Sequence, residues 1–266
     1  DHARRWSGIV LVLLVAVAAY AAPRLHRLGH TVGDDFALYL RQARSIFEGN
    51  IHEVISDNRL LWANSRGVTP PVYPWIFPIV LAPFVHFWGL DYDRLKLVEV
   101  ACLCAWLVLF HGLVRRRAGR IVAGALTAVF ATAIPYLSYT DQLLTEIPYL
   151  LAATATIWWL DRLLAAGSLL DRTVNQLAIY GLLAVVAYNV RREGIVLLPV
   201  IGVVQLVDVV VRLRRREGQS LAAGIRALPW KLLALPYATF IVGTVVFQVI
   251  LPSPLLPKRN NARKWI

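Results

Sequence analysis

Long apolar stretches alternating with basic clusters constrain this chain more than any other feature. The apolar runs are about 16–21 residues long, and arginines gather between them. A helix of about 20 apolar residues spans the roughly 30 Å hydrocarbon core of a bilayer. Such runs cover 7–22, 95–114, 121–139, 146–164, 174–190, 194–211 and 231–251. They predict an all-α, polytopic integral membrane protein of about seven transmembrane helices. A further apolar block, 72–90, carries Pro74, Pro78 and Pro83. Each proline removes a backbone donor and disturbs the preceding turn, although a span tolerates such residues.

Composition then narrows the function classes. The chain is 58% hydrophobic with a formal net charge of +12. In a soluble protein that charge would suggest nucleic acid. Here the arginines lie between spans, where cytoplasmic loops and lipid headgroups collect them, so no nucleic-acid partner is expected. Cys102 and Cys104 lie together in one apolar block, which argues against a structural disulfide. The sequence opens at Asp1 and contains no methionine, so residues 1–266 are expected to be one transmembrane module of a longer or processed chain. Residues 7–22 resemble a signal peptide, but Ala21-Ala22-Pro23 is a poor cleavage site, and a retained helix is expected.

Charge distribution orients the spans. If 72–90 lies along the membrane surface and the N-terminus is cytoplasmic, the clusters Arg115–Arg117 and Arg212–Arg216 face the cytoplasm. The external turns near 140–146 and 189–193 then hold only Arg191 and Arg192. If 72–90 crossed, both clusters would face outward, against the positive-inside rule. Residues 23–94 therefore become a long external loop, with 72–90 as a juxtamembrane or re-entrant helix. Within that loop, 35–48 sets Phe36, Tyr39, Leu40, Ala43 and Phe47 on one face and Arg41, Arg44, Ser45 and Glu48 on the other, with Gly49-Asn50 as a stop. That pattern predicts an interfacial amphipathic helix.

This topology gathers polar groups on the external side: Asp34 and Asp35, Asp141 and Glu146, Arg191-Arg192-Glu193, and Lys258-Arg259. Each has a plain structural role available. An aspartate before a helix caps it, Glu146 before Pro148 suits a helix N-terminus, and boundary arginines snorkel to headgroups. His30 and His52 have no second ligand at metal-binding spacing, so no metal site is indicated, although the acids are compatible with a divalent ion.

The ordered motifs carry a family resemblance. An acidic pair opens an external helix (GDDFALYLRQARSIFEGN), followed by a Pro-rich block (TPPVYPWIFPIVLAPF), a basic turn (RRRAGR), then LLTEIPY and RREGIVLLP. This order, over most of residues 1–211, resembles the GT-C superfamily of membrane glycosyltransferases, especially the protein O-mannosyltransferase and aminoarabinose transferase branch. The resemblance implies an inverting transfer of sugar from a polyprenyl-phosphate donor to an acceptor hydroxyl on a glycan, lipid or protein. It implies a site facing away from the cytoplasm, in a plasma or bacterial inner membrane. Asp35 matches the family's catalytic base, with Tyr39 four residues later and Gly49 fourteen later, and Asp34 fits an alternative register. Glu146 matches the second acid, and Arg191 or Arg192 the donor-phosphate contact, with Lys258 and Arg259 as further candidates. Asp141 and Tyr39 would belong to the acceptor side. Where some relatives carry Glu-Lys before the Pro-rich helix, this chain has Thr69-Pro70-Pro71, which leaves donor and acceptor open. Two other classes fit the same composition: a polyprenyl-lipid transporter, with Glu99 and Asp208 as its ionisable groups within spans, and a catalytically silent membrane scaffold.

Overall fold

The computed structural model describes residues 2–30, 35–64, 72–214, 220–251 and 253. Among them there are eleven α-helices, short 3-10 turns and no strand. The chain forms two compact units, one of Asp1–Leu151 and Gln248–Ile266, the other of Ala152–Phe247. Four stretches are helical, long and apolar enough to cross a membrane: Trp6–Leu25, Tyr92–Thr132, Arg192–Arg214 and Trp230–Ile250. Their outward faces carry Val12, Leu13, Val203, Leu206, Val245 and Val249, all more than half exposed. Apolar surface on this scale is what a lipid-facing helix presents.

In the first unit, α1 (His2–Ala21) lies along α5 (Tyr92–Thr132). Ala18 and Ala22 are fully buried against a cluster that includes Leu103 and Leu107. Small side chains let the two backbones approach closely, which is how apolar helices gain packing where no water drives them together. α2 (Asp35–Glu48) occupies the stretch whose pattern predicts an amphipathic helix. It buries Tyr39, Leu40 and Ala43 against Phe77, Leu81 and Val85 of α4 (Ile76–Trp88), while Phe47 stays largely exposed. Between them runs α3 (Ile51–Asn64), within the stretch read from sequence as loop. Gly89 ends α4 with φ +63° and donates its N–H to the Val85 carbonyl at 2.9 Å. Asp91 then caps α5 by accepting the Arg94 N–H at 3.1 Å.

Two breaks reshape the apolar stretches read at 95–114 and 121–139. Helix continues through the basic cluster and turns only at Gly119, with φ +85° and ψ 175°. It stops at Thr132, one residue short of α6 (Ile134–Tyr139). Pro135 explains that stop, because its ring would clash with the carbonyl four residues earlier and it has no N–H to donate. Proline is tolerated in the first turn of a new helix, where it now sits.

α7 (Glu146–Ala165) leads towards the second unit, which contains α8 (Val174–Val190), α9 (Leu197–Arg214), α10 (Leu221–Arg226) and most of α11 (Trp230–Ile250). A capping box between Thr173 and Gln176 starts α8. The second unit's core gathers Leu160, Leu163, Leu177, Tyr180 and Ile201. Several of its polar groups pair within it. The Tyr180 hydroxyl donates to the Leu197 carbonyl at 2.7 Å, and Gln205 donates to the Leu233 carbonyl at 3.0 Å while accepting from the Tyr237 hydroxyl at 3.0 Å. Asp208 accepts from the Ser168 hydroxyl at 3.0 Å and the Leu169 N–H at 2.6 Å.

The break at Gly119 can be separated from ordinary packing. A Cβ at Gly119 or at Gly124 meets nothing within 4 Å, yet only Gly119 occupies a backbone region reserved for glycine. Gly119→Ala should therefore lower stability by about 1–3 kcal/mol through backbone strain alone. Gly124→Ala, within the helix, should leave it unchanged or raise it. Thermal unfolding of the two variants in detergent measures the difference.

Candidate functional site

Asp35 stands in the first turn of α2, where the helix dipole favours a negative charge. Its carboxylate Oδ1 accepts a hydrogen bond from the Tyr73 hydroxyl. Tyr73 is itself held from two directions. Its ring packs on Tyr39 with centroids 4.6 Å apart. Its backbone is gripped by Gln42, fully buried on α2, whose Nε2 donates to the Tyr73 carbonyl at 3.1 Å and whose Oε1 accepts the Tyr73 N–H at 2.8 Å. Residues 72–75, just ahead of α4, lie outside any helix and need partners for their backbone groups. The Gln42 amide supplies both for Tyr73, and so fixes the phenol over the acid.

The same unit contains a fully buried ammonium. Lys96, on the first turns of α5, is 0% exposed. Its Nζ donates to the Arg27 carbonyl at 2.6 Å and Asp141 Oδ1 at 2.8 Å, with Asp93 Oδ1 at 3.4 Å. An ammonium has three N–H groups, and here three oxygens receive them. The Asp141 side chain is 11% exposed and also accepts the Arg27 N–H at 3.0 Å; Asp93 accepts the Gly29 N–H at 3.2 Å. Lys96 thus ties the segment after α1 to the turn before α7.

Two histidines extend the tie. His26 Nε2 bonds Thr140 Oγ1 at 2.9 Å, and His30 Nε2 accepts the Leu143 N–H at 3.2 Å while its ring stacks on Phe36 at 3.7 Å. Burial lowers the pKa of both below the usual 6.5, and the Lys96 charge adds to the effect, against the opposing pull of Asp141. Glu146 opens α7 next to this turn, and Glu99 on α5 is 1% exposed.

Arg191 and Arg192 lie in the second unit, where α8 ends. Arg191 pairs with Glu193 at 3.1 Å; both side chains are at least a third exposed, so the pair contributes little. The Arg192 guanidinium lies 4.5 Å from the Tyr188 ring centroid and donates to Asn189 Oδ1 at 3.3 Å. Asp34, Lys258 and Arg259 lie outside the described residues. Of the residues singled out from sequence, the first unit therefore holds Asp35, Tyr39, Asp141 and Glu146. Sequence reading missed Tyr73, Gln42, Lys96 and His26, and weighed His30 only as a metal ligand. Gln42 was detectable as an amide three residues after Tyr39 on an apolar stripe, and Lys96 as an ammonium within an apolar run. Among the described residues no group of three or more His, Cys, Asp or Glu side chains is placed to hold a metal.

Two measurements test this arrangement. Lys96→Met strands the largely buried Asp141 charge and should cost about 3–5 kcal/mol, most of which Lys96→Met combined with Asp141→Asn should restore. Second, histidines with lowered pKa in the folded state are protonated more readily when the chain unfolds. Stability should be fullest above pH 6.5 and fall as pH drops from there towards the lowered folded values. His26→Gln should flatten that fall in pH-dependent unfolding.

Comparison with known protein families, with curated proteins and with solved structures finds no match to this chain.

Proposed function

We propose that this chain is the transmembrane module of a GT-C-like glycosyltransferase, with seven spans and its site on the face away from the cytoplasm. The observation that carries this reading is the Asp35 carboxylate, held by the Tyr73 hydroxyl at the start of an amphipathic helix in a protein rich in apolar helices. A polyprenyl-phosphate sugar keeps its tail in the bilayer and its phosphate and sugar at the interface. The phosphate is already a good leaving group, so the protein's task is to activate the acceptor.

In this reading Asp35 is the general base. Tyr73 occupies Oδ1, leaving Oδ2 to take the acceptor's proton as its oxygen bonds the anomeric carbon. The bond from that carbon to the phosphate oxygen breaks in the same step, inverting the configuration and releasing the lipid phosphate. The family resemblance gives Arg191 or Arg192 the donor-phosphate contact, a role guanidinium groups suit by their paired donors. Glu146 orients the acceptor or the base, while Asp141 is committed to Lys96 and the Arg27 N–H. Of the two ionisable groups a lipid transporter would use within its spans, Asp208 is committed to the Ser168–Leu169 turn, whereas neither Glu99 oxygen is hydrogen-bonded.

The test is transfer by purified protein given labelled polyprenyl-phosphate sugars, read as release of free lipid phosphate. Asp35→Asn should lower turnover by about 100-fold or more with its unfolding midpoint retained. Tyr73→Phe keeps the ring packing and removes the hydroxyl, so kcat should fall while the donor KM changes little. Full activity in Asp35→Asn would sink the assignment, and a donor moved across the bilayer intact would favour the transporter.

A further inference from the structure

Where α2 ends against α4, the two helices and the turn at Gly89 enclose a cavity of about 340 Å3. That size falls in the range of small-ligand sites. α2 contributes Arg44, Phe47 and Glu48 to its wall, and α4 contributes His86. Asp35 begins the same α2, thirteen residues and so about 20 Å from Glu48, which separates this cavity from the candidate catalytic carboxylate.

The polar lining offers both signs of charge. Arg44 Nε donates to Glu48 Oε1 across one turn, an exposed pair that contributes little to stability. A guanidinium carries five N–H groups, so the two terminal nitrogens keep four of them for a ligand. Glu48 Oε2 accepts from Asn50 Nδ2 at a long 3.4 Å and has further acceptor capacity. The His86 ring stacks on Phe47 with centroids 4.5 Å apart, and an imidazole presents at least one N–H at its edge. The border is apolar: Phe47, Phe87 and Leu90 are 54%, 79% and 49% exposed. α4 itself is 13 residues long, about 20 Å, short of the roughly 30 Å hydrocarbon core and suited to the membrane interface.

A simple anion in this cavity would meet the Glu48 carboxylate, and a simple cation would meet Arg44. A head that carries a phosphate and a primary ammonium complements both. Acyl chains attached to that head would cover the exposed border. We propose that the cavity binds the phosphoethanolamine headgroup of a membrane phospholipid. The phosphate meets the terminal nitrogens of Arg44 and the His86 N–H, and the ammonium meets Glu48 Oε2. A choline head has no N–H for Glu48, and a glycerol head has no positive charge for it. The site is independent of glycosyl transfer, because the lipid is bound there and not consumed.

The experiment releases the purified chain from nanodiscs of equal parts phosphatidylethanolamine, phosphatidylcholine and phosphatidylglycerol, and counts retained lipids by native mass spectrometry. The wild type should keep about one phosphatidylethanolamine per chain, favoured by about tenfold over the other two. Arg44→Gln should lose the retained lipid. Glu48→Gln keeps the phosphate contact but removes the partner of the ammonium, so phosphatidylglycerol should rise to the level of phosphatidylethanolamine. Glutamine is a good helix former at these exposed positions, so both variants should keep the wild-type unfolding midpoint. Arg94→Gln, at an exposed arginine outside the cavity, should retain lipid as the wild type does. A wild type without preference for phosphatidylethanolamine, or a preference that survives Arg44→Gln or Glu48→Gln, overturns the proposal. Glycerophosphoethanolamine, the same head without chains, should compete only in large excess. Displacement by it at equal concentration would overturn a membrane lipid as the occupant.

Discussion

The arrangement of the first unit depends on how one buried ammonium is satisfied. Removing Lys96 from water is costly, and three oxygens at 2.6–3.4 Å offset that cost. Those oxygens come from the segment after α1, the first turn of α5 and the turn that leads into α7. Sequence separation between them is large, so meeting the needs of one side chain forces distant parts of the chain to a common point. The two histidine contacts to Thr140 and Leu143 then fix the orientation of what Lys96 has gathered. Polar groups at the end of an otherwise apolar unit thus act as directional fasteners where packing alone would allow helices to slide.

Helical content and its apolar character were readable from residue patterns because both follow from local rules. The periodicity of Phe36, Tyr39, Leu40 and Ala43 marks a helix over the residues that α2 occupies. The path of the chain at Gly119 and Pro135 was less legible. RRRAGR reads as a turn by charge, but arginine is a good helix former and the helix runs through it until glycine permits a reversal. Pro135 marks a break clearly enough, but apolar residues on both sides conceal it from a hydropathy reading.

The candidate site was legible only in its acids. Asp35, Asp141 and Glu146 stand out because carboxylates are rare beside apolar runs. Their partners do not stand out. Tyr73 reads as one aromatic among many in a proline-rich block, and Gln42 is marked only by its place on an apolar stripe. Lys96 stands in an apolar run, but its role emerges only where the fold places Asp141 against it. These roles depend on contacts between residues far apart in sequence, which no window along the chain contains. Asp141 illustrates the consequence: its position suggests an acceptor-side group, whereas its geometry commits it to Lys96 and the Arg27 backbone.

The bond pair between Gln42 and Tyr73 separates two kinds of information. Gln42 grips main-chain atoms, which every amino acid except proline presents alike, so it sets the address of position 73 without regard to the side chain there. The phenol sets the chemistry delivered to that address. Exchange of the reagent at 73 is therefore possible without redrafting the scaffold that positions it, whereas loss of the amide at 42 would misdirect any reagent. A site organised in this way can change what it does to a neighbouring carboxylate while keeping its architecture.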